Sequence, residues 1–484
     1  MSTVLPSYNL FGIQAEPVSI EVEVARGMPH FSITGMPSAS IKESKDRLRS
    51  AIEASGYRFP MTRKIVHLAP AETPKRGSHF DLPMALGLLV ASGQIEALPK
   101  GMMAIGELGL HGGVRAVTGL FPGASMAKEI HTIIFPQANH EEARLLENVK
   151  CIPVRSLKDA IQSISGSPQT IVPHQNKAPN LHPWAITDIS GHPHAKRALM
   201  IAATGGHHLL MHGPPGTGKS LLARAFPSLL PDLKKNEASE VMQISSVAGQ
   251  PIKHARPFRK VHHSISRAQL MGGGSQGKPG ELSLAHRGVL FLDEIPEFKR
   301  EVLESLRQPL EDGQYMLSRQ QRNLCFPSRF QLIASMNPCP CGYHGDQQHS
   351  CSCHPYEIAR YQKKLSGPLM DRLDLFVYIP RLSYSELNQE DEIPLKDLRS
   401  QVRLARDRQI QRQGKLNHEL TGKEIQKLNL SKEIQTLLET ATERLGLSGR
   451  GIHKTIKLAL SIADLDGRVI DTKAIQEALA YRKL

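Results

Sequence analysis

Residues 211–220 read MHGPPGTGKS, preceded by an apolar segment and followed by LLARAF. That order gives a strand, a glycine-rich loop and the start of a helix. A loop of this type turns backbone N–H groups toward a phosphate. Gly213, Pro214, Pro215, Gly216, Thr217 and Gly218 would wrap a β-phosphate, and the helix N-terminus would add its positive end. Lys219 would reach the β and γ oxygens, and the Ser220 hydroxyl would take a Mg²⁺ position. The expected ligand is ATP with Mg²⁺. Downstream, GVLFLDEIPEF (288–298) is an apolar strand ending in two carboxylates. Alone, such a pair is a common cap or a solvated pair. Beside a phosphate cradle, Asp293 would hold Mg²⁺ through water and Glu294 would polarise the attacking water.

Three further residues extend the constellation. FQLIASMNPCP (330–340) is an apolar strand that delivers Asn337 beside a γ-phosphate, or simply ends in an Asn-Pro turn. SGPLMDRLDLFVYIP (366–380) sets Arg372 between two aspartates. It is either the ion-pair partner of Asp371 or Asp374, or an arginine finger donated to a neighbouring subunit's nucleotide. LSGRGIHKTIKLALSIADL (447–465) opens a helical pattern on Arg450, a second phosphate sensor or a helix-face charge.

The elements that must position these residues divide the chain of 484 residues into several domains. Residues 1–165 alternate strand and helix signals. VSIEVEVARGMPHFSITG gives two strands joined by a turn, SASIKESKDRLRSAIEASGY an amphipathic helix, and DLPMALGLLVASG a buried helix. A linker rich in Pro, Asn and Ser covers 166–185. The phosphate motifs lie in 186–385, which should form a doubly wound parallel sheet. From 386 to 484 the periodicity is helical, as in LKDLRSQVRLARDRQIQRQ and SKEIQTLLETATERLGL, a helical lid.

The formal net charge is +14, and residues 166–385 carry 25 basic against 16 acidic residues. Residues 241–280 hold Lys253, Arg256, Arg259, Lys260, Arg267 and Lys278 with no acid, and 313–345 hold Arg319, Arg322 and Arg329 with none. Such runs are either solvated faces or loops that neutralise phosphates of a nucleic acid, which would give salt-sensitive, sequence-independent binding. Four of the six cysteines, Cys339, Cys341, Cys351 and Cys353, fall within fifteen residues. Two CxC pairs would form a tetrahedral thiolate set for a structural Zn²⁺, with His344, His349 and His354 as rival ligands, or else stand as idle reduced thiols. Cys151 and Cys325 read as packing residues. MSTVLPSYNLFG has no basic region followed by an apolar stretch, and no segment reaches membrane-spanning length, so a cytoplasmic protein without membrane contact is expected.

The order GPPGTGKS, PGELSLAHRGVLFLDEIPEF, MNPCPCGY, GPLMDRLDL and LSGRG resembles the ComM/YifB family of magnesium chelatase-like AAA+ ATPases over nearly the whole chain. The resemblance implies an α/β protein: a Lon-protease-like N-terminal domain, an AAA+ P-loop core and a C-terminal helical lid. It implies a homo-hexameric ring, assembled with ATP between subunits, that drives branch migration on single-stranded and branched DNA in recombination and natural transformation. Lys219, Asp293, Glu294, Asn337, Arg372 and Arg450 fall on the family's phosphate, Mg²⁺, catalytic-base, first-sensor, finger and second-sensor positions. Segments near 245–280 and 312–328 would project into the ring's pore, making Lys253, Arg256, Arg259, Lys260, Arg319 and Arg322 the expected DNA contacts. Two places depart from the pattern: SARAY reads SGRGI around Arg450, and FRAPHH reads FRKVHH at 258–263. The serine–lysine dyad of a working Lon-like protease is missing, since His79 stands where the nucleophile would fall and no lysine occurs from 101 to 127. A chelatase-like motor that remodels a protein partner would use the same ATP site; the cysteine cluster and the N-terminal domain count against it.

Overall fold

The computed structural model describes residues 2–482 except 127–128, 167–182, 275–276, 320–321, 347 and 388–393. Most of the linker expected at 166–185 therefore lies outside the described residues.

The N-terminal region opens with a long hairpin, β1 (Ser2–Phe11) against β2 (Gln14–Ala25), turning through Gly12 at φ +62°. β3 (His30–Thr34) and β4 (Arg63–Ala69) complete a sheet of order β1-β2-β4-β3. The two strands read from 18–35, β2 and β3, are present and joined by a turn, but they are not neighbours in the sheet. β4 enters between them, parallel to β3 and antiparallel to β2, because the helix Ser44–Ala54 carries the chain across. β5 (Met102–Ala104), β8 (Thr132–Pro136) and β9 (Lys150–Val154) form a second, parallel sheet, with the short pair β6 (Glu107–Leu108) and β7 (Val114–Arg115) beside it. The helix Asp81–Ala91 is buried all round, as its unbroken apolar run requires, and Gly87 lets Val22 and Leu5 approach where a Cβ would lie 2.7 and 2.9 Å from them.

The central domain holds five parallel strands in the order β11-β14-β17-β10-β18. These are β10 (Leu209–His212), β11 (Phe258–Val261), β14 (Val289–Leu292), β17 (Gln331–Met336) and β18 (Leu375–Tyr378). Apart from the edge strand β11, the strands are nearly continuous apolar runs because both faces are covered. Leu209, Met211, Val289, Phe291 and Ile333 point into one core, while Leu210, Leu290, Leu292, Leu332 and Ala334 point into the other. The first of these cores continues without a break into the C-terminal helices through Leu398, Val402, Ile434, Leu458 and Ile475, so lid and sheet share one core.

Between β11 and β14 lie a short helix, Arg267–Met271, and the small pair β12 (Gly272–Gly273) and β13 (Lys278–Pro279). Between β14 and β17 rises the hairpin β15 (Gln314–Arg319) and β16 (Arg322–Pro327), rooted by the buried Tyr315, Leu324 and Phe326. The N-terminal region sits on this half. Gly12 packs on Leu324, Ile13 O accepts from Gln243 Nε2 at 2.8 Å, and the buried Glu142 takes the Ser246 hydroxyl.

Candidate functional site

The sheet order brings the ends of β10, β14 and β17 side by side. Beyond β10, Gly213 adopts φ +157° against the backbone of Ile379, where a Cβ would lie 2.2 Å from the carbonyl oxygen. Gly216 and Gly218 take φ +79° and +83°, left-handed values that fit glycine. The helix Lys219–Ala225 starts there. Lys219 turns its ammonium onto the loop carbonyls of Gly213 and Pro214 at 2.7 and 2.6 Å. Burial pushes this amine down to about 8, against the opposing pull of Asp293 and Glu294.

Asp293 begins one residue past β14. Its Oδ2 accepts from Ser220 Oγ at 2.9 Å and from Lys260 Nζ at 2.9 Å, and its Oδ1 accepts from Ser335 Oγ at 2.5 Å. Burial alone would lift this carboxyl, but the three donors hold it below its ordinary value. Glu294 is exposed at φ +53°, a conformation that costs a side-chain-bearing residue about 1–3 kcal/mol, and its N–H donates to Ser335 Oγ at 3.1 Å. Asn337 follows β17, and its backbone bonds the Tyr361 hydroxyl. The site therefore unites Lys219, Ser220, Asp293, Glu294 and Asn337. Ser220 Oγ and the Asp293 carboxylate present hard oxygen donors of the kind Mg²⁺ takes.

Sequence reasoning missed Ser335 and misplaced Lys260. The signal for Ser335 was available, since it lies two residues before Asn337 and so shares its face.

The second half of the expected constellation lies together elsewhere. Arg372 pairs with neither flanking aspartate: Nη2 meets Glu311 Oε2 at 2.5 Å, and Nε and Nη1 donate to the carbonyls of Arg307 and Pro368. Arg450 reaches the same Glu311 at 3.7 Å. It occupies the first turn of the helix Gly449–Asp466, which Ser448 caps by accepting from the Gly451 N–H, so the flanking glycines do not delay the helix. Asp374, two residues past Arg372, is buried and held well below its ordinary value despite burial by Lys454 at 2.7 Å and by His207. That ion pair ties the Arg372 segment to the helix carrying Arg450.

The four cysteines converge. Their sulfurs all lie within 4.8 Å of one another, with Cys339 3.3 Å from Cys341 and 3.7 Å from Cys351. A tetrahedral Zn²⁺ thiolate site needs S···S edges of about 3.8 Å, so the thiols fit this ion. His344, His349 and His354 do not join the set. The loop leans on the phosphate loop: a Cβ on Gly342 would lie 2.8 Å from Pro215 Cδ and 3.9 Å from Asn337 Cγ. Cys151 is buried as expected; Cys325 is exposed on β16 beside Gln314, so it is not a packing residue.

The basic residues expected to face DNA separate sharply. Arg256 is buried, its guanidinium bonded to the carbonyls of Pro231, Asp232 and Arg287 and to Glu237. Arg259 makes a two-pronged pair with Glu281 at 2.7 Å, and Lys260 holds Asp293. The reason is that 258–261 is not part of a projecting loop but is β11, the edge strand of the central sheet. Lys253 is exposed. Arg319 and Arg322 face each other across the last pair of the β15–β16 ladder, and their side chains lie outside the described set.

In the N-terminal region, Ser78 gives its hydroxyl to the Glu107 carboxylate. His79 is buried, stacked on the Tyr8 ring at 4.5 Å and bonded to its carbonyl, and burial pushes it down to about 4. Lys75 points its ammonium at the Pro70 carbonyl. None of these supplies a base to a serine.

Three family profiles match the chain. One described as "Magnesium chelatase, subunit ChlI" matches residues 185–387, "Subunit ChlI of Mg-chelatase" matches 20–139, and "Magnesium chelatase, subunit ChlI C-terminal" matches 394–482. The competence protein ComM of Haemophilus influenzae is 41% identical over 489 residues, covering 98% of this chain and 96% of that protein. The uncharacterized protein YifB of Escherichia coli is 40% identical, covering 98% and 95%. The chain belongs to the ComM/YifB family of magnesium chelatase-like AAA+ proteins. A magnesium-chelatase 38 kDa subunit of Cereibacter sphaeroides is more distant, 26% identical over 32% of this chain and 53% of its own length. Across the ComM/YifB comparison the match runs through the N-terminal region, the sheet and the helical lid alike. Among the described residues no helix is long and apolar enough to cross a membrane.

Proposed function

We infer that this chain hydrolyses ATP as a ring motor, a homo-hexamer assembled with ATP, that translocates on DNA in the cytoplasm and promotes branch migration in recombination and natural transformation. The observation that carries the ATP reading is the juxtaposition of Ser220, on the helix that follows the loop after β10, with Asp293 just past β14 and Ser335 near the end of β17, and with Glu294 exposed beside them. In this reading the loop 213–218 receives the phosphates, and Lys219 exchanges its loop carbonyls for phosphate oxygens. Mg²⁺, held by Ser220 and through water by Asp293, would neutralise charge on the β- and γ-phosphates. Glu294 polarises the attacking water and Asn337 orients it. Arg372 acts as the finger and Arg450 as the second sensor, their common partner Glu311 keeping them on one face.

DNA as the track is supported by the printed name of the competence protein and by the charge excess of the central region. The internal pairing of Arg256, Arg259 and Lys260 weakens the charge argument and favours a second reading, a chelatase-like motor acting on a protein partner. ATP hydrolysis by the purified protein, with and without single-stranded and branched DNA, separates the two. Glu294→Gln controls for contamination. Stimulation by DNA that is lost in the variant and weakened by salt supports translocation on DNA; hydrolysis indifferent to every DNA supports the protein remodeller.

A further inference from the structure

Lys260 has no role in the constellation read from the sequence, yet it sits inside the site. Its Nζ lies 2.9 Å from Asp293 Oδ2, the same oxygen that accepts from Ser220 Oγ at 2.9 Å. Its stem is not free to hang elsewhere by chance: β11 runs parallel to β14 with Lys260 opposite Phe291, and the ammonium lies over that ring, 5.6 Å from its centroid. The strand register thus delivers a fixed positive charge to the carboxylate expected to anchor Mg²⁺. One carboxylate oxygen has limited capacity for a serine hydroxyl, an ammonium and a hydrated dication at once, and two cations at this distance repel. Lys260 also has somewhere to go. It lines the mouth of a cavity of about 410 Å³ together with His262, Ser264, Gln269 and Glu281.

We propose that Lys260 is a tethered cation that competes with Mg²⁺ for Asp293, so that this side chain on the edge strand sets how much divalent ion nucleotide binding requires. The inference rests on the ATP and Mg²⁺ reading above. It has two consequences of opposite sign. Without Mg²⁺, Lys260 shields the nucleotide phosphates from the Asp293 carboxylate, so removing it weakens metal-free binding. With Mg²⁺, removing it frees Asp293, so less ion is needed.

The test is a fluorescent ADP titrated into the full-length protein and into Lys260→Ala, first in EDTA and then across a Mg²⁺ series. The expected result is weaker binding of the variant in EDTA and a fall of about threefold to fivefold in the Mg²⁺ giving half the affinity gain, the size carried by a partly exposed ion pair. Lys260→Met, which keeps the stem over Phe291, guards against loss of the edge strand and should behave as Lys260→Ala does. An unchanged or higher Mg²⁺ requirement in both variants, with the wild type responding normally to Mg²⁺, overturns the role of Lys260 alone. A wild type that binds no nucleotide in either condition overturns the ATP reading and this inference with it.

Discussion

Ser335 Oγ lies 2.5 Å from Asp293 Oδ1 and 3.1 Å from the backbone nitrogen of Glu294, so one hydroxyl on β17 holds both the Asp293 carboxylate and the backbone that carries Glu294. Ser335→Ala removes the donor and the acceptor together while leaving the phosphate loop intact. We expect ATP hydrolysis to fall about ten- to thirtyfold, the effect of about 1.4–2 kcal/mol in the transition state, with nucleotide affinity within about twofold of wild type. An equal loss of binding and turnover would show instead that the substitution disturbs the whole sheet end. Steady-state kinetics alongside direct binding decides.

The conformation of the loop 213–218 was legible because it is local: Gly213, Gly216 and Gly218 take unusual backbone conformations within six residues, and the sequence shows glycine at each. Asp293, Glu294 and Asn337 were legible for a related reason, each following an apolar strand. What sequence could not show is which way a cation faces. Arg256 and Lys260 both lie in an acid-free run, but their partners Glu237 and Asp293 are 19 and 33 residues away in the chain and come together only through the sheet. Glu311, the meeting point of Arg372 and Arg450, was invisible likewise, since it precedes them by 61 residues and more. The β1–β2 hairpin was missed because Gly12 and Ile13 form so short a turn between long strands that no loop composition announces it.

The cysteine loop should be a metal clip whose mechanical partner is the phosphate loop, because Gly342 leaves no room for a side chain beside Pro215. One Zn²⁺ per chain is expected by elemental analysis, and none in Cys351→Ser/Cys353→Ser. The metal-free protein should lose ATP affinity as well as metal. Gly342→Ala separates the two effects: at φ +88° and with a 2.8 Å contact to Pro215 Cδ, it should retain the metal and still weaken nucleotide binding.

Acid should begin to destabilise the protein above the ordinary carboxylate range. Burial pushes His79, His212 and His418 down to about 4 and His208 to about 3. Between pH 6.5 and 4 the unfolded chain binds protons at these positions and the folded chain does not, so stability falls as pH falls through that window. Each histidine contributes about 1.4 kcal/mol per pH unit at full effect. The melting temperature should therefore drop steadily from pH 6.5 to 4.5, and His79→Gln should flatten the slope whatever it does to stability at pH 7. A flat profile over this range would mean that these rings are already solvated.

If Arg372 serves a neighbour's nucleotide, its loss and the loss of Glu294 strike different sites of the same interface. Arg372→Ala and Glu294→Gln should each be inactive alone. Mixed in equal amounts, they should regain measurable hydrolysis, because some interfaces then pair an intact Arg372 with an intact Glu294. Failure of the mixture to recover, with mixed rings demonstrated by a tag on one variant, would make Arg372 a structural partner of Glu311 and nothing more. Glu311→Gln, which keeps the shape but weakens the hold on both arginines, should retain activity in isolation.

The basic segments give the sharpest contrast between charge that is available and charge that is spent. Lys253 is exposed, so Lys253→Ala should lower the dependence of DNA affinity on salt by about 0.7–0.9 in the logarithmic slope, the share of one neutralised phosphate, and should leave the melting temperature nearly unchanged. Arg256→Ala should do the reverse. It leaves Glu237 with the longer Arg287 pair at 3.7 Å and takes the guanidinium away from the carbonyls of Pro231 and Arg287, which costs about 1–3 kcal/mol, while the salt slope of the protein that remains folded stays as in wild type. Salt-dependent binding of both variants to labelled single-stranded DNA, with a melting curve for each, distinguishes them. Should Arg256→Ala flatten the slope without loss of stability, the guanidinium must leave its buried partners when DNA binds.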